Sequence, residues 1–335
     1  MAKRKIRVAI NGFGRIGRAA FKIMLDKKKY DVVAINDLAP AESLAYLLKY
    51  DTVYGAYGKK VLVKGHDIYV GGKKYHITAQ ADPKKLPWKK LKIDVVLECT
   101  GRFVKDGAAD AHIKAGAKKV IISAPAKGGG VDTFLLGVNQ AGYKNQKVIS
   151  NASCTTNCIA PVAQILVSKF GVDKAMMTTI HSYTADQALV DGPHKKDPRR
   201  GRSAAQNIVP TSTGAAIATA EVIPELRGLF DGLAVRVPTP IVSLSDFTFL
   251  LKKDVTVKQI NNVLITASKS KQYKGILGVT DEPVVSSDFI GDERSSIVDL
   301  SLTKVVGGNM VKIVAWYDNE WGYSTRLVEM IDQIR

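Results

Sequence analysis

Cysteine is scarce in this chain: three in 335 residues, at positions 99, 154 and 158. Three are too few for the disulfide framework of a small secreted protein. No second Cys or His pair stands at ligand spacing, so no metal is expected. Acidic residues are also in deficit, 31 against 49 Lys and Arg, which leaves a formal charge of +18. Long apolar runs are missing; none reaches the roughly 18 residues that span a bilayer, and no membrane partner is expected. The opening "MAKRKIRVAING" passes from a short basic tail into a strand pattern, without an apolar signal segment or an Arg/Ser-rich presequence. A cytoplasmic location is the expectation. The lysines are scattered, in "DKKK" at 26–29, "KKLPWKKLK" at 84–92 and "HKKDPRR" at 194–200. No zinc finger, RNP motif or dimeric basic helix accompanies them. The charge therefore reads as a solvated surface, with nucleic acid entering only as a secondary partner.

What is present is material for two domains: 46% of the residues are apolar. The run "KIRVAING" (5–12) reads as a strand and "FGRIGRAAFKIML" as the helix after it. Between them lies Gly12-Phe13-Gly14-Arg15-Ile16-Gly17, a G-x-G-x-x-G, and a second strand, "DVVAIND" (31–37), ends in Asp37. That context is what a dinucleotide fingerprint requires. Gly12 allows the tight turn, Gly14 lets the backbone approach a pyrophosphate, and Gly17 lets helix and strand pack closely. Asp37 would accept from ribose hydroxyls and repel a 2′-phosphate, favouring NAD over NADP. Residues 59–78 alternate and are broken by Gly, as in a small antiparallel excursion. "IDVVLECTG" (93–101) and "KKVIISAP" (118–125) are near-continuous apolar runs, the mark of central parallel strands. The turns after them lie at the carboxyl edge, where nucleotides bind. Cys99 reads as a buried or turn residue.

After the strand "KVIS" (147–150), "NASCTTNCIAPVAQILVSKF" takes on helical spacing, with Ser153 as N-cap. Cys154 then occupies the first turn, where the helix dipole and free N–H groups lower a thiol pKa and stabilise an oxyanion. Cys158, one turn on, faces the core. The strand "DKAMMTTIHSYT" (173–184) carries His181 near its end. The order strand, helix, strand suggests that both residues emerge at one sheet edge, as a thiolate–imidazolium couple able to move protons.

Taken together, "INGFGRIGR", "SNASCTTNC", "HSYT", "STGAA", "RVPTP" and "WYDNEWGYS" resemble the phosphorylating glyceraldehyde-3-phosphate dehydrogenases, from about residue 5 to residue 335 and in the same order. The resemblance implies an α/β Rossmann-type doubly wound nucleotide-binding domain (1–150). An α+β catalytic domain with a mostly antiparallel sheet follows (151–318), and a C-terminal helix (319–335) packs back on the first. It implies that Cys154 attacks glyceraldehyde 3-phosphate while His181 takes the proton, that NAD accepts a hydride, and that inorganic phosphate releases 1,3-bisphosphoglycerate. By the same resemblance Thr184 and Arg236 hold the substrate phosphate. Ser153, Thr155, Thr213, Gly214 and one arginine of "PRRGR" hold the inorganic one; Arg200 is favoured, with Arg199 and Arg202 close enough to exchange roles. Arg15 and Ile16 lie along the pyrophosphate, Thr100 and Ser123 near ribose and nicotinamide. Asn319 holds the carboxamide with Tyr323 nearby. Leu38 and Pro193 match the NAD-using members; Ala81 departs from a basic residue common near the adenine. The Gly/Pro-rich segment 182–205 matches a loop that the family uses across a subunit contact, implying a homotetramer. Two other readings stand beside this one: an erythrose-4-phosphate dehydrogenase, and nucleic-acid binding by the basic surface.

Overall fold

The computed structural model describes residues 4–335, so the first residues of the basic tail lie outside the described chain. It divides into two compact units. The first runs to Phe134 and adds Gln140–Ala152 and Ser324–Arg335; the second comprises Leu135–Asn139 and Ser153–Tyr323.

The first unit is a doubly wound α/β layer. Its elements begin with β1 (Ile6–Asn11), α1 (Arg15–Asp26), β2 (Tyr30–Asn36) and α2 (Ala41–Lys49). A short ribbon of β3 (Tyr50–Asp51) and β4 (Gly55–Ala56) precedes β5 (Val61–Lys64), β6 (Asp67–Val70) and β7 (Lys73–Thr78). Then come β8 (Val95–Glu98), α3 (Asp110–Lys114), β9 (Lys119–Ile122) and β10 (Val148–Ser150). The sheet order is β10-β9-β8-β1-β2-β7-β6-β5. The expected excursion at 59–78 is antiparallel, but its last strand pairs parallel to β2 and so extends the main sheet. β8 is wholly buried, as its unbroken apolar run requires, and packs with Trp88, Ile93, Val96, Val120 and Ile122 in one core. The short helices α2 and α3 give too little periodicity to be expected from sequence.

Strand order reverses at β1: the chain crosses to β2 on one side and later to β8 on the other, which opens a crevice at the carboxyl ends. Gly12 has φ +92°, and a Cβ there would lie 2.8 Å from the Cys99 carbonyl carbon and the Thr100 nitrogen. At Gly17 a Cβ would come within 2.1 Å of the Gly12 carbonyl oxygen. Gly14 is different: its φ of −69° suits any residue and its Cβ direction is open. The fold needs the outer two glycines and has no use for the middle one. Late in the chain, Tyr30 Oη donates to the Val328 carbonyl at 3.2 Å and Lys27 pairs with Glu329 at 2.7 Å, which ties the last residues into this unit.

The second unit starts with α4 (Cys154–Phe170), then β11 (Val172–Ser182), β12 (Val209–Ser212), α5 (Ala215–Val222), β13 (Phe230–Val237) and β14 (Ser243–Leu251). It continues with α6 (Val257–Lys269), β15 (Leu277–Thr280), β16 (Ser296–Asp299), β17 (Lys304–Val306) and β18 (Met310–Tyr317). The last helix, α7 (Trp321–Ile334), begins here and ends in the first unit. The sheet order is β12-β13-β11-β14-β18-β16-β15, mostly antiparallel, with β11·β13 and β15·β16 parallel. β12 escaped the sequence reading because Pro210 sits in it; an edge strand tolerates that loss of a donor. β14 starts at Ser243, directly after Val242, which takes φ +66°. α4 runs through Pro161 and is buried on most of its surface, so packing outweighs the missing hydrogen bond. β10 belongs to the first sheet and β11 to the second, so the single shared sheet edge expected for Cys154 and His181 does not exist. No described helix is long and apolar enough to cross a membrane.

The two kinds of glycine separate by experiment. Gly17→Ala is expected to cost about 3 kcal/mol of stability through overpacking. Gly14→Ala is expected to leave the unfolding midpoint unchanged while weakening NAD binding at least about tenfold, since a methyl group then meets the pyrophosphate. Denaturant titration and NAD fluorescence titration of both variants check this.

Candidate active site

In the first unit the fingerprint turn opens α1, whose first bond runs from Arg18 N to Gly14 O, so the helix N-terminus lies at the turn. The Arg15 side chain turns aside to Asp51 at 3.3 Å, so only its backbone faces the turn's opening. Asp37 follows β2 and is pinned there: its Oδ2 accepts from Phe13 N at 2.7 Å and its Oδ1 from Ala39 N at 3.0 Å. A carboxylate has lone pairs left for two ribose hydroxyls. Thr100 and Ser123 stand at the carboxyl ends of β8 and β9, and Ser123 N donates to Glu98 O at 3.0 Å.

Beneath Thr100 lies a residue the sequence reading missed. Glu98 is fully buried; its Oε1 accepts from Thr100 N at 2.8 Å and from the Thr100 hydroxyl. Its Oε2 accepts from Asn11 Nδ2 at 2.5 Å and from His112 Nε2 at 2.8 Å. Trp88 Nε1 donates to His112 Nδ1 at 3.0 Å, which makes Nε2 the protonated nitrogen that faces Glu98. A buried carboxylate is tolerated only when satisfied this fully. A Glu closing an otherwise apolar strand is the one sequence signal that pointed to it.

In the second unit Cys154 opens α4. Ser153 caps the helix, its Oγ accepting from Thr156 N at 3.0 Å. Cys154 Sγ lies 3.6 Å from His181 Nε2, and the other ring nitrogen donates to the Ser182 carbonyl at 2.7 Å. That bond fixes the tautomer, leaving the Nε2 lone pair toward sulfur. Under the pair, Tyr317 Oη lies 2.9 Å from Thr155 Oγ1 and 2.8 Å from Thr179 Oγ1, all buried. The pairing β11·β13 sets His181 directly beside Arg236. Arg236 Nη1 donates to Thr184 Oγ1 at 2.6 Å, and its Nε is buried with no hydrogen-bond partner. Among the described residues no carboxylate comes within ion-pair reach of Arg236.

Of the three arginines in "PRRGR", Arg200 is the one held against β12: Nε donates to Thr211 Oγ1 at 2.9 Å and Nη2 to the Ser212 carbonyl at 3.1 Å. Arg202 turns outward to Asp191 at 2.8 Å. Thr213 and Gly214 follow directly and open α5, with space beside Gly214 for a ligand. All three hydroxyls of the expected inorganic-phosphate set are already engaged: Ser153 in the cap, Thr155 with Tyr317, and Thr213 accepting from Ala215 N at 3.2 Å.

The family described as "Glyceraldehyde 3-phosphate dehydrogenase, NAD binding domain" matches residues 6–106, and its C-terminal-domain counterpart matches residues 153–319. A glyceraldehyde-3-phosphate dehydrogenase of Priestia megaterium is 52% identical over 331 residues, 98% of each chain. Those of Zymomonas mobilis and Geobacillus stearothermophilus are 50% and 51% identical, covering 98% and 97% of each chain. The chain belongs to the glyceraldehyde 3-phosphate dehydrogenase family.

For a glyceraldehyde 3-phosphate dehydrogenase the fingerprint fits NAD on structural grounds: a turn that leaves Gly14 open, a helix N-terminus and a pinned Asp37 beside it. Asn319 lies in the second unit. Its Oδ1 is taken by Ser182 Oγ at 3.0 Å and Ser243 Oγ at 3.1 Å, so its NH2 faces away from the serines and suits a carboxamide oxygen. Tyr323 is buried in the first turn of α7. Val242, whose positive φ is unusual for a β-branched residue, immediately precedes Ser243 and sets its direction; nothing in the sequence marks it.

The electrostatics correct one expectation. Burial pushes the Cys154 thiol above its ordinary pKa, outweighing Thr155, Arg236 and the helix N–H groups, all of which pull it down. Burial, with help from Arg236, lowers His181 to about 3. Burial thus favours the neutral form of each group and works against the expected thiolate–imidazolium couple, since desolvation opposes two separated charges. Cys158 and Cys99 are each pushed up to about 12, and Cys158 Sγ is spent 3.6 Å from Ser296 Oγ in the core.

Iodoacetamide is expected to label Cys154 first, with a rate that climbs with pH through and beyond the ordinary thiol range; peptide mapping against time reads both. Stability should show the histidine. Because folding lowers its pKa from 6.5 to about 3, the unfolded chain binds the extra proton in that window, and stability falls as pH drops below 6.5. His181→Gln is expected to lose less on acidification, by up to about 1.4 kcal/mol per pH unit between 6 and 4, in paired urea titrations.

Proposed function

We propose that this chain oxidises glyceraldehyde 3-phosphate with NAD and inorganic phosphate to 1,3-bisphosphoglycerate, through a thioacyl group on Cys154. The observation that carries it is the Cys154 Sγ–His181 Nε2 approach of 3.6 Å, with an incompletely bonded guanidinium, Arg236, on the neighbouring strand. Sulfur adds to the aldehyde carbon as its proton passes to Nε2, the nitrogen that the Ser182 carbonyl leaves unprotonated. The α4 N–H groups face the oxygen that gains charge. NAD, when bound, supplies the hydride acceptor. The thioester left on Cys154 is opened by phosphate oxygen, and the sulfur recovers its proton from the imidazolium.

Thr184 and Arg236 suit the substrate's own phosphate, and Arg200, Thr213 and Gly214 the attacking one, since guanidinium forks match phosphate oxygens. Ser153 and Thr155 join the second set only by turning from their present partners. Exposed Leu189, Val190 and Ile208, in and just after the 182–205 segment, support a homo-oligomer, read as a tetramer by the family pattern. A cytoplasmic site of action accords with this chemistry.

NADH formation from glyceraldehyde 3-phosphate is expected to be sustained only when inorganic phosphate is present. Slow turnover indifferent to phosphate would mean release by water and would favour the erythrose-4-phosphate enzyme. Cys154→Ser is expected to lose activity by about 10³-fold or more while binding NAD normally.

A further inference from the structure

The chemistry above leaves one charged group of the site without a task. Asp186 accepts from the Thr184 hydroxyl through Oδ1 and from Arg200 Nη1 at 2.7 Å through Oδ2. Thr184 belongs to the substrate-phosphate pair, Arg200 to the inorganic-phosphate set. Arg236 Nη1 in turn donates to Thr184, so a chain Arg236–Thr184–Asp186–Arg200 joins both sets through a single carboxylate. Burial pushes the Asp186 carboxyl up, but the Thr184 hydroxyl and the charges of Arg236 and Arg200 more than offset this and hold it below its ordinary value. It is an anion at neutral pH. The remaining neighbours on these elements are Asp197, 3.7 Å from Arg200 Nε, and His181, which is neutral.

A phosphate group arriving on Thr184, Arg236 or Arg200 meets donors that a carboxylate already uses, and beside it a like charge. Like charges in one partly desolvated site weaken each other's binding. The same carboxylate keeps Thr184 and Arg200 oriented, so it both prepares the donors and competes for them.

We propose that Asp186 is a positioning residue and internal counter-anion shared by the two phosphate sites, weakening the hold on each so that a product bearing two phosphate groups is released. This rests on the activity proposed above. Asp186→Asn keeps an acceptor oxygen and removes the charge, and Asp186→Glu keeps the charge.

The NAD-loaded protein is titrated with inorganic phosphate by calorimetry, and steady-state rates are measured with glyceraldehyde 3-phosphate and with unphosphorylated glyceraldehyde. D186N is expected to bind phosphate about five- to tenfold more tightly. Its KM for the phosphorylated aldehyde should fall by a similar factor and its kcat should drop, with KM for glyceraldehyde unchanged and D186E close to the parent. Unchanged or weaker phosphate binding in D186N would overturn the proposal and make Asp186 a simple brace. Asp186→Ser supplies a second neutral variant should D186N melt below the assay temperature. Because calorimetry needs no turnover, a parent protein inert toward glyceraldehyde 3-phosphate would sink the activity and still leave this comparison decisive.

Discussion

The parallel pairing of β11 with β13 is the constraint on which the site of the second unit depends. It sets His181 opposite Arg236 and Ser182 opposite Val237, so the imidazole and the guanidinium share one strand end by register alone. From that end β14, on the other flank of β11, brings Ser243 to Asn319, and β18, beyond it, brings Tyr317 under Thr155 and Thr179. A one-residue slip of β13 would turn Arg236 to the opposite face and leave Thr184 without its donor. The N-terminus of α4 then brings the Cys154 sulfur within 3.6 Å of that imidazole.

Burial governs the protonation of that imidazole. A helix N-terminus and a nearby arginine both favour thiolate, yet the enclosed site raises the thiol and depresses the imidazole. Such a pair holds its proton until an aldehyde or a thioester demands it, which suits a residue that serves as base in one half of the cycle and as acid in the other. Tyr317 makes a similar point. Its hydroxyl spends itself on two threonines, and burial, ahead of its other neighbours, keeps it protonated.

The lysine excess has a local account. In the first unit the ammonium groups of Lys22, Lys29, Lys49, Lys64, Lys73 and Lys119 each lie within 5.5 Å of a tyrosine ring centroid. Others pair with carboxylates, among them Lys59 with Asp26 and Lys74 with Asp67. Aromatic faces and acidic partners dispersed over the surface accommodate part of the charge without any concentrated basic groove having to be invoked.

The sequence by itself determined whatever rests on neighbours along the chain. The strand–glycine turn–helix of residues 6–26 and the capped helix that opens at Cys154 are local, because turn geometry and helix caps are set within a few residues. Cys154 and His181 were legible as a candidate pair from two short motifs, and the structure brings them within 3.6 Å of each other. Tertiary structure alone decided the rest. It laid Arg200 against β12 and turned Arg202 to Asp191, enclosed Glu98 under Thr100, and placed β10 and β11 in different sheets. It also set the burial that disfavours charge on Cys154 and His181, because desolvation depends on everything packed around a group, and that is written nowhere near the group in the chain.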